Sequence, residues 1–363
     1  MGAERRDEPT GAAGRVSAGA SLAAGTGDRL ERTVFAPAWI ALGLASLPFL
    51  FGFAIPRWAQ YVPFLASVLV LGLPHGAVDH LAAARVGGSE DRNGGFDRPL
   101  AVVAVLYLLA GGAYLLGWLL APASSFAFFI ALTWFHWGQG DLYVLVALPE
   151  RTHLRSRTQR ALGLAVRGGL PMIVPLLSFP GTYREITRSV TGLFDPSAIT
   201  VLDPVFTVSV RLALGGGLAA LSIGALVIGY RRAEGVGRKR VWRLDAAETL
   251  FLWAFFLTVP PVLAVGLYFC LWHSLRHVVR VIALGDGTDS MEPTDPVVGG
   301  FVRFAREAAP LTAGALVIFA GLYLLAPVAD VSGLIALYLV LLAVLTLPHV
   351  LVVTWMDRKQ GIW

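Results

Sequence analysis

The chain has 363 residues, of which 56% are hydrophobic and only 15% charged, and its mean hydropathy is +0.68. Soluble domains carry about 25% charged residues, so the composition excludes a soluble enzyme and a disordered chain, and the single cysteine, Cys270, excludes a disulfide scaffold and a thiolate metal site. Lys+Arg 29 against Asp+Glu 24 leaves a net charge of +5, a small excess that belongs to basic loops flanking membrane spans and not to a nucleic-acid surface.

Residues 1–33 are Gly, Ala, Ser and Arg with balanced charge, which reads as a polar, disordered tail and not a signal peptide. Apolar runs follow at roughly 34–54, 61–81, 100–120, 125–148, 161–179, 208–230, 244–284, 308–327 and 331–355. Each is near the ~20 residues a crossing needs, except 244–284, which is far too long for one. Pro260-Pro261 lies inside that run, and proline both removes a backbone donor and restricts the residue before it. The run is therefore expected to split into about 244–259 and 262–284. The predicted fold is an all-α, polytopic membrane helical bundle of about nine to ten transmembrane helices. A single integral-membrane domain covers 34–357, and 358–363 forms a short C-terminal tail.

Three basic loops orient this bundle: Arg85, Arg92 and Arg98; Arg151, Arg155, Arg157 and Arg160; and Arg231, Arg232, Arg238, Lys239, Arg240 and Arg243. If each preceding run crosses once, all three share a side, which the positive-inside rule makes cytoplasmic together with the N-terminus of a plasma-membrane protein. Ten spans also place Arg358-Lys359 inside, whereas nine reverse that end.

Six of the seven histidines lie in or at the ends of these runs: His75, His80, His136, His273, His277 and His349. A lone intramembrane histidine reads as a helix-to-helix hydrogen bond, but six in one bundle point to function. His153 lies in an Arg-rich loop and is expected to be a solvated surface residue. Within Trp272-His273-Ser274-Leu275-Arg276-His277, the two histidines are four apart and share a helix face, a spacing that can chelate one metal ion. Arg276 points away from that pair, and is expected either to snorkel or to hold a nearby aspartate. In Gly72-Leu73-Pro74-His75-Gly76-Ala77-Val78-Asp79-His80, Asp79 follows His75 by four and could orient a ligating imidazole, while His80 faces elsewhere on a regular helix. The third motif is Phe135-His136-Trp137-Gly138-Gln139-Gly140-Asp141, and the fourth is Pro348-His349. Trp134 and Trp137 read as core or lipid-facing aromatics more readily than as a substrate clamp. Neutral imidazoles without thiolates suit iron, copper or zinc. No nucleotide loop, nucleophile elbow or haem-attachment pair accompanies them.

Taken together, Leu73-Pro74-His75-Gly76-Ala77-x-Asp79, His136-x-Gly138-x-x-Asp141, His273-Ser274-x-Arg276-His277 and Leu347-Pro348-His349 resemble the Brp/Blh-type β-carotene dioxygenases, over about residues 68–357. The resemblance implies an integral-membrane enzyme that uses Fe(2+) and O2 to split the central 15,15′ double bond of all-trans-β-carotene into two retinals. It implies that His75, His136, His273 and His277 are the catalytic residues and iron ligands. Asp79, Asp141, Arg276, His349 and His80 are then expected beside that ligand set. The implied partners are β-carotene and O2 as substrates, the lipid bilayer and a retinal-binding rhodopsin, with no nucleic acid. Three other readings stand beside it. One is another His-iron membrane oxygenase, such as a lipid desaturase or hydroxylase, although those carry many clustered histidines and this chain has a single HxxxH. The others are a metal transporter and a non-enzymatic accessory protein of retinal-protein biogenesis.

Overall fold

The computed structural model describes residues 29–87, 98–148, 152–284, 296–326 and 328–363. Residues 1–28 of the expected tail, together with Arg92 and Arg151 of the basic loops, lie outside them. The regular structure of the described residues is all helical, with no strand among them. In chain order the helices are α1 (Glu31–Leu50), α2 (Arg57–Ala66), α3 (Gly72–Ala77), α4 (Asp79–Gly87), α5 (Arg98–Leu120), α6 (Pro122–Ala147), α7 (Arg157–Ser178), α8 (Pro180–Gly192), α9 (Val208–Arg232), α10 (Gly235–Thr258), α11 (Pro261–Ala283), α12 (Pro296–Leu325) and α13 (Val331–Lys359). Two single-turn helices, Ile199–Leu202 and Asp203–Phe206, bridge α8 and α9.

Seven of these helices are long and apolar enough to cross a bilayer: α1, α5, α7, α9, α11, α12 and α13. The expected nine to ten is not reached, and the other three predicted spans depart from the pattern in different ways. The run 61–81 is not one helix but three, α2, α3 and α4, with Leu71 held at φ +62° between the first two. Pro63 and Pro74 each lack an amide donor, and Leu73 donates its N–H across the break to the Ser67 carbonyl at 3.1 Å. α6 is a continuous 26 residues, but His136, Gln139 and Asp141 lower its apolarity, and all three are buried inside the protein. α10 starts nine residues before the predicted 244, so it carries Arg238, Lys239, Arg240 and Arg243 as well as Asp245 and Glu248.

The break expected at Pro260-Pro261 is present. α10 ends at Thr258 and α11 begins at Pro261, the first helical position, where a missing N–H costs nothing. α7 runs through the centre of the bundle and packs on α6, α9 and α10. Its contact with α6 depends on Gly138, where a Cβ would lie 2.4 Å from the Leu164 carbonyl oxygen. The last residues are also docked. Ile362 is buried, and Arg160 donates to the carbonyls of Gly361 (3.2 Å) and Ile362 (2.8 Å).

Candidate metal centre

Five of the six intramembrane histidines converge. His75, His136, His273, His277 and His349 come from α3, α6, α11, α11 and α13, and all five are buried. The His75 ring centroid lies 5.6 Å from His273, 5.4 Å from His277, 5.0 Å from His349 and 6.5 Å from His136. Ligating atoms of His75, His136 and His273 all lie within 4.8 Å of one another, and so do those of Asp79, His277 and His349. The sixth, His80, is half-buried and belongs to neither group.

The local backbone explains these positions. α3 is only six residues long, and its His75 Nδ1 faces the carbonyls of its own first turn, those of Gly72 and, at 3.1 Å, Leu71. A carbonyl accepts, so Nδ1 carries the proton and Nε2 keeps the lone pair a metal needs. Ser274 Oγ stands 3.3 Å from the same Nδ1. In α11 the segment Phe269–Ser274 is a π-helical turn. Such turns recur at functional sites because they re-aim side chains. Here the expected pair is shared between two neighbouring groups of donors: His273 lies with His75 and His136, and His277 with Asp79 and His349. Gly140 leaves room for this, since a Cβ there would come within 3.2 Å of His273 Nδ1.

His136 Nε2 and His273 Nε2 face each other at 3.0 Å. The Nδ1 atoms of both, and Nε2 of both His277 and His349, are buried without a hydrogen-bond partner among the described residues. Two imidazole nitrogens bound at about 2.1 Å to one ion and roughly at right angles are about 3.0 Å apart. That pair, with His75 beside it, therefore fits a transition-metal ion that accepts imidazole, among them iron, copper and zinc.

The residues expected beside the ligands divide. Asp79 does orient an imidazole, but that of His349 and not His75: His349 Nδ1 donates to its two oxygens at 2.9 and 2.8 Å. Tyr107 donates its O–H to the same carboxylate at 2.6 Å. Asp141 touches no histidine. It accepts from Trp272 Nε1 at 2.9 Å and stands 3.4 Å from Arg167 and 3.3 Å from Arg276. Arg167 also pairs with Asp245 (2.7 Å) and Glu248 (2.6 Å), and Arg276 with Glu248 (2.6 Å) while stacking 3.8 Å over Trp272. Arg276 thus holds an aspartate, as its place in the motif suggested. This buried ionic network secures the turn that carries His273.

His153 overturns its expectation as a solvated residue. It is 1% exposed, and its Nε2 lies 3.1 Å from Asp245 at the edge of the same network. Sequence reasoning missed Tyr107, which sits in a plain apolar run with no motif around it. It also passed over Arg167 and Glu248, although a charge inside an apolar span was an available signal.

A cavity of about 170 Å³ opens on the cluster. His75, His136, His349 and Tyr107 are among its polar lining residues, and Phe126, Phe129, Trp137, Phe269, Leu339 and Leu342 are among its apolar walls. Trp137, read from sequence as a core or lipid-facing aromatic, is both core and cavity wall, and its ring stacks on Phe269 with centroids 6.1 Å apart.

Comparison with known proteins agrees with this construction. The family model described as beta-carotene 15,15'-dioxygenase matches residues 66–357. The protein named "Probable beta-carotene 15,15'-dioxygenase Blh" of Halobacterium salinarum is 46% identical over 343 residues, covering 92% of this chain and 96% of that one. "Probable beta-carotene 15,15'-dioxygenase Brp" of the same species is 34% identical over 330 residues, covering 86% and 88%. The "Beta-carotene 15,15'-dioxygenase" of an uncultured marine bacterium is 24% identical over 299 residues, covering 82% and 94%. No solved structure matches the chain.

Proposed function

The chain belongs to the beta-carotene 15,15'-dioxygenase family, and from that premise we propose that it cleaves the central 15,15′ double bond of β-carotene with O2, giving two molecules of retinal. The observation that carries this reading is the buried histidine cluster opening on an apolar, aromatic-walled cavity inside a membrane bundle. His75, His136, His273 and His277 hold the metal, which this reading takes to be Fe(2+). Iron supplies the O2 chemistry that amino-acid side chains lack.

The protein's own part is binding, orientation and exclusion of water. A hydrocarbon polyene leaves the lipid for a cavity of matching polarity, so burial of its surface against Phe126, Phe129, Trp137 and Phe269 favours binding. His75, His136 and His349 line that cavity, and on this reading they fix where the reacting bond rests. The apolar walls keep bulk water from the site. In the reaction one C=C bond is replaced by two C=O bonds, and both oxygen atoms of O2 end in the aldehydes, so no outside reductant is needed. We place the enzyme in the plasma membrane with its N-terminus cytoplasmic, delivering retinal to a rhodopsin-type protein.

Expression in β-carotene-accumulating bacteria tests the reading directly. Loss of orange colour with appearance of retinal is the expected result. Retained carotene in cells that contain the folded protein would refute it.

A further inference from the structure

We infer that His349 is a fifth arm of the metal centre, held in place by a chain that runs from Tyr107 through Asp79 to its imidazole. The inference rests on the reading of the histidine cluster as a metal centre and extends it to residues on α13 and α5.

Three observations carry it. First, His349 stands in the cluster and not beside it: its ring centroid is 4.6 Å from His136, 5.0 Å from His75 and 5.0 Å from His277. Second, its two nitrogens have opposite environments. Nδ1 faces both oxygens of Asp79 at 2.9 and 2.8 Å, and a carboxylate only accepts, so Nδ1 carries the proton. Nε2 is then a bare lone pair, in a residue 4% exposed, with no partner among the described residues. A buried acceptor left so is costly unless something occupies it. Third, the carboxylate is itself held. Tyr107 donates to it at 2.6 Å, from the start of a π-helical turn in α5. Carboxylate–imidazole–metal chains of this form fix the tautomer and raise the basicity of the ligating nitrogen.

The arrangement separates the roles of two histidines. The proton on His75 is held by backbone carbonyls, which no side-chain substitution removes. That on His349 depends on two side chains, one of which, Tyr107, lines the cavity. Tyr107 and Asp79 are positioning residues, and His349 is the ligand they position.

The test uses the full chain, purified in detergent, with iron content, affinity by competition with a chelator, and the electron paramagnetic resonance spectrum of the ferrous protein treated with nitric oxide. The wild type is expected to hold one iron. Wild-type protein that is folded but binds no iron would refute the iron reading itself, before His349 is considered. With iron present in the wild type, His349→Ala is expected to lower iron affinity by at least about 10-fold and to change the spectrum, while His349→Gln tests the same site with a side chain that fills the space. Asp79→Asn and Tyr107→Phe keep ring and shape, and are expected to weaken iron binding by about 10–100-fold and by a smaller factor, respectively. Unchanged affinity and spectrum in folded His349→Ala and His349→Gln would overturn the inference and leave the four-histidine site standing. Two irons per wild-type chain would also overturn it, because His277 and His349 would then serve a separate ion.

Discussion

Asp141 and His153 belong to one buried ionic network, joined through Arg167 and Asp245, and substituting each has a distinct expected effect. Asp141 is 2% exposed and shares two arginines with Glu248. Removing one member of a buried ionic network typically costs about 3–5 kcal/mol. Asp141→Asn is therefore expected to lower thermal stability markedly in detergent, while the folded fraction keeps its iron, because no histidine hydrogen bond is lost. Normal stability with loss of iron would show that Asp141 acts on the centre directly. His153→Ala is expected to destabilise by about 1–3 kcal/mol, since it leaves one oxygen of the buried Asp245 without its neighbour. A melting temperature equal to that of the wild type would restore the solvated reading. The histidine cluster was legible because polar groups in apolar runs announce themselves. The Asp79–His349 bond was not, because its partners are 270 positions apart and the i, i+4 spacing pointed to His75 instead. His153 was misread for a similar reason: local arginines suggested solvent, and its partner lies 92 positions away.

At the scale of helices, proline and glycine mark what the sequence could and could not reveal. The split of 244–284 was legible because two adjacent prolines interrupt a run too long for one crossing. The split of 61–81 was hidden because the run has the length of one span and stays apolar through the break. Length and composition do not report a left-handed residue such as Leu71. The π-turn over Phe269–Ser274 left no sequence signal, yet it decides which histidines His273 meets. Gly138 shows how motif residues serve packing as well as chemistry. A methyl group there would press on the Leu164 backbone, which cannot rotate aside as a side chain can. Gly138→Ala is expected to cost about 1–3 kcal/mol or more, and to loosen His136 because α6 must shift from α7. Thermal melting with iron titration checks both, and a variant of wild-type stability would mean the α6–α7 contact yields freely.

For the molecule as a whole, the side on which the chain ends relative to the α9–α10 link turns on whether α10 crosses the bilayer. Its 24 residues extend about 36 Å at 1.5 Å per residue, more than the ~30 Å of a hydrocarbon core. It fails as an apolar span only because of its charges, and those fall into two sets. Arg238, Lys239, Arg240 and Arg243 lie at its start, where a membrane–water interface would accommodate them. Asp245 and Glu248 face into the protein, neutralised by Arg167 and Arg276, so lipid never meets them. On this argument α10 crosses. Four helices, α10 to α13, then separate the Ala233-Glu234 link from Trp363, and an even number of crossings returns the chain to the side it left. Reporter fusions after Glu234 and after Trp363 are therefore both expected to read cytoplasmic, which also leaves Arg358-Lys359 on the inner side. Reporters on opposite sides would mean that α10 lies at the interface. The ionic network that braces His273 would then sit near water, and its contribution to stability would fall steeply with added salt.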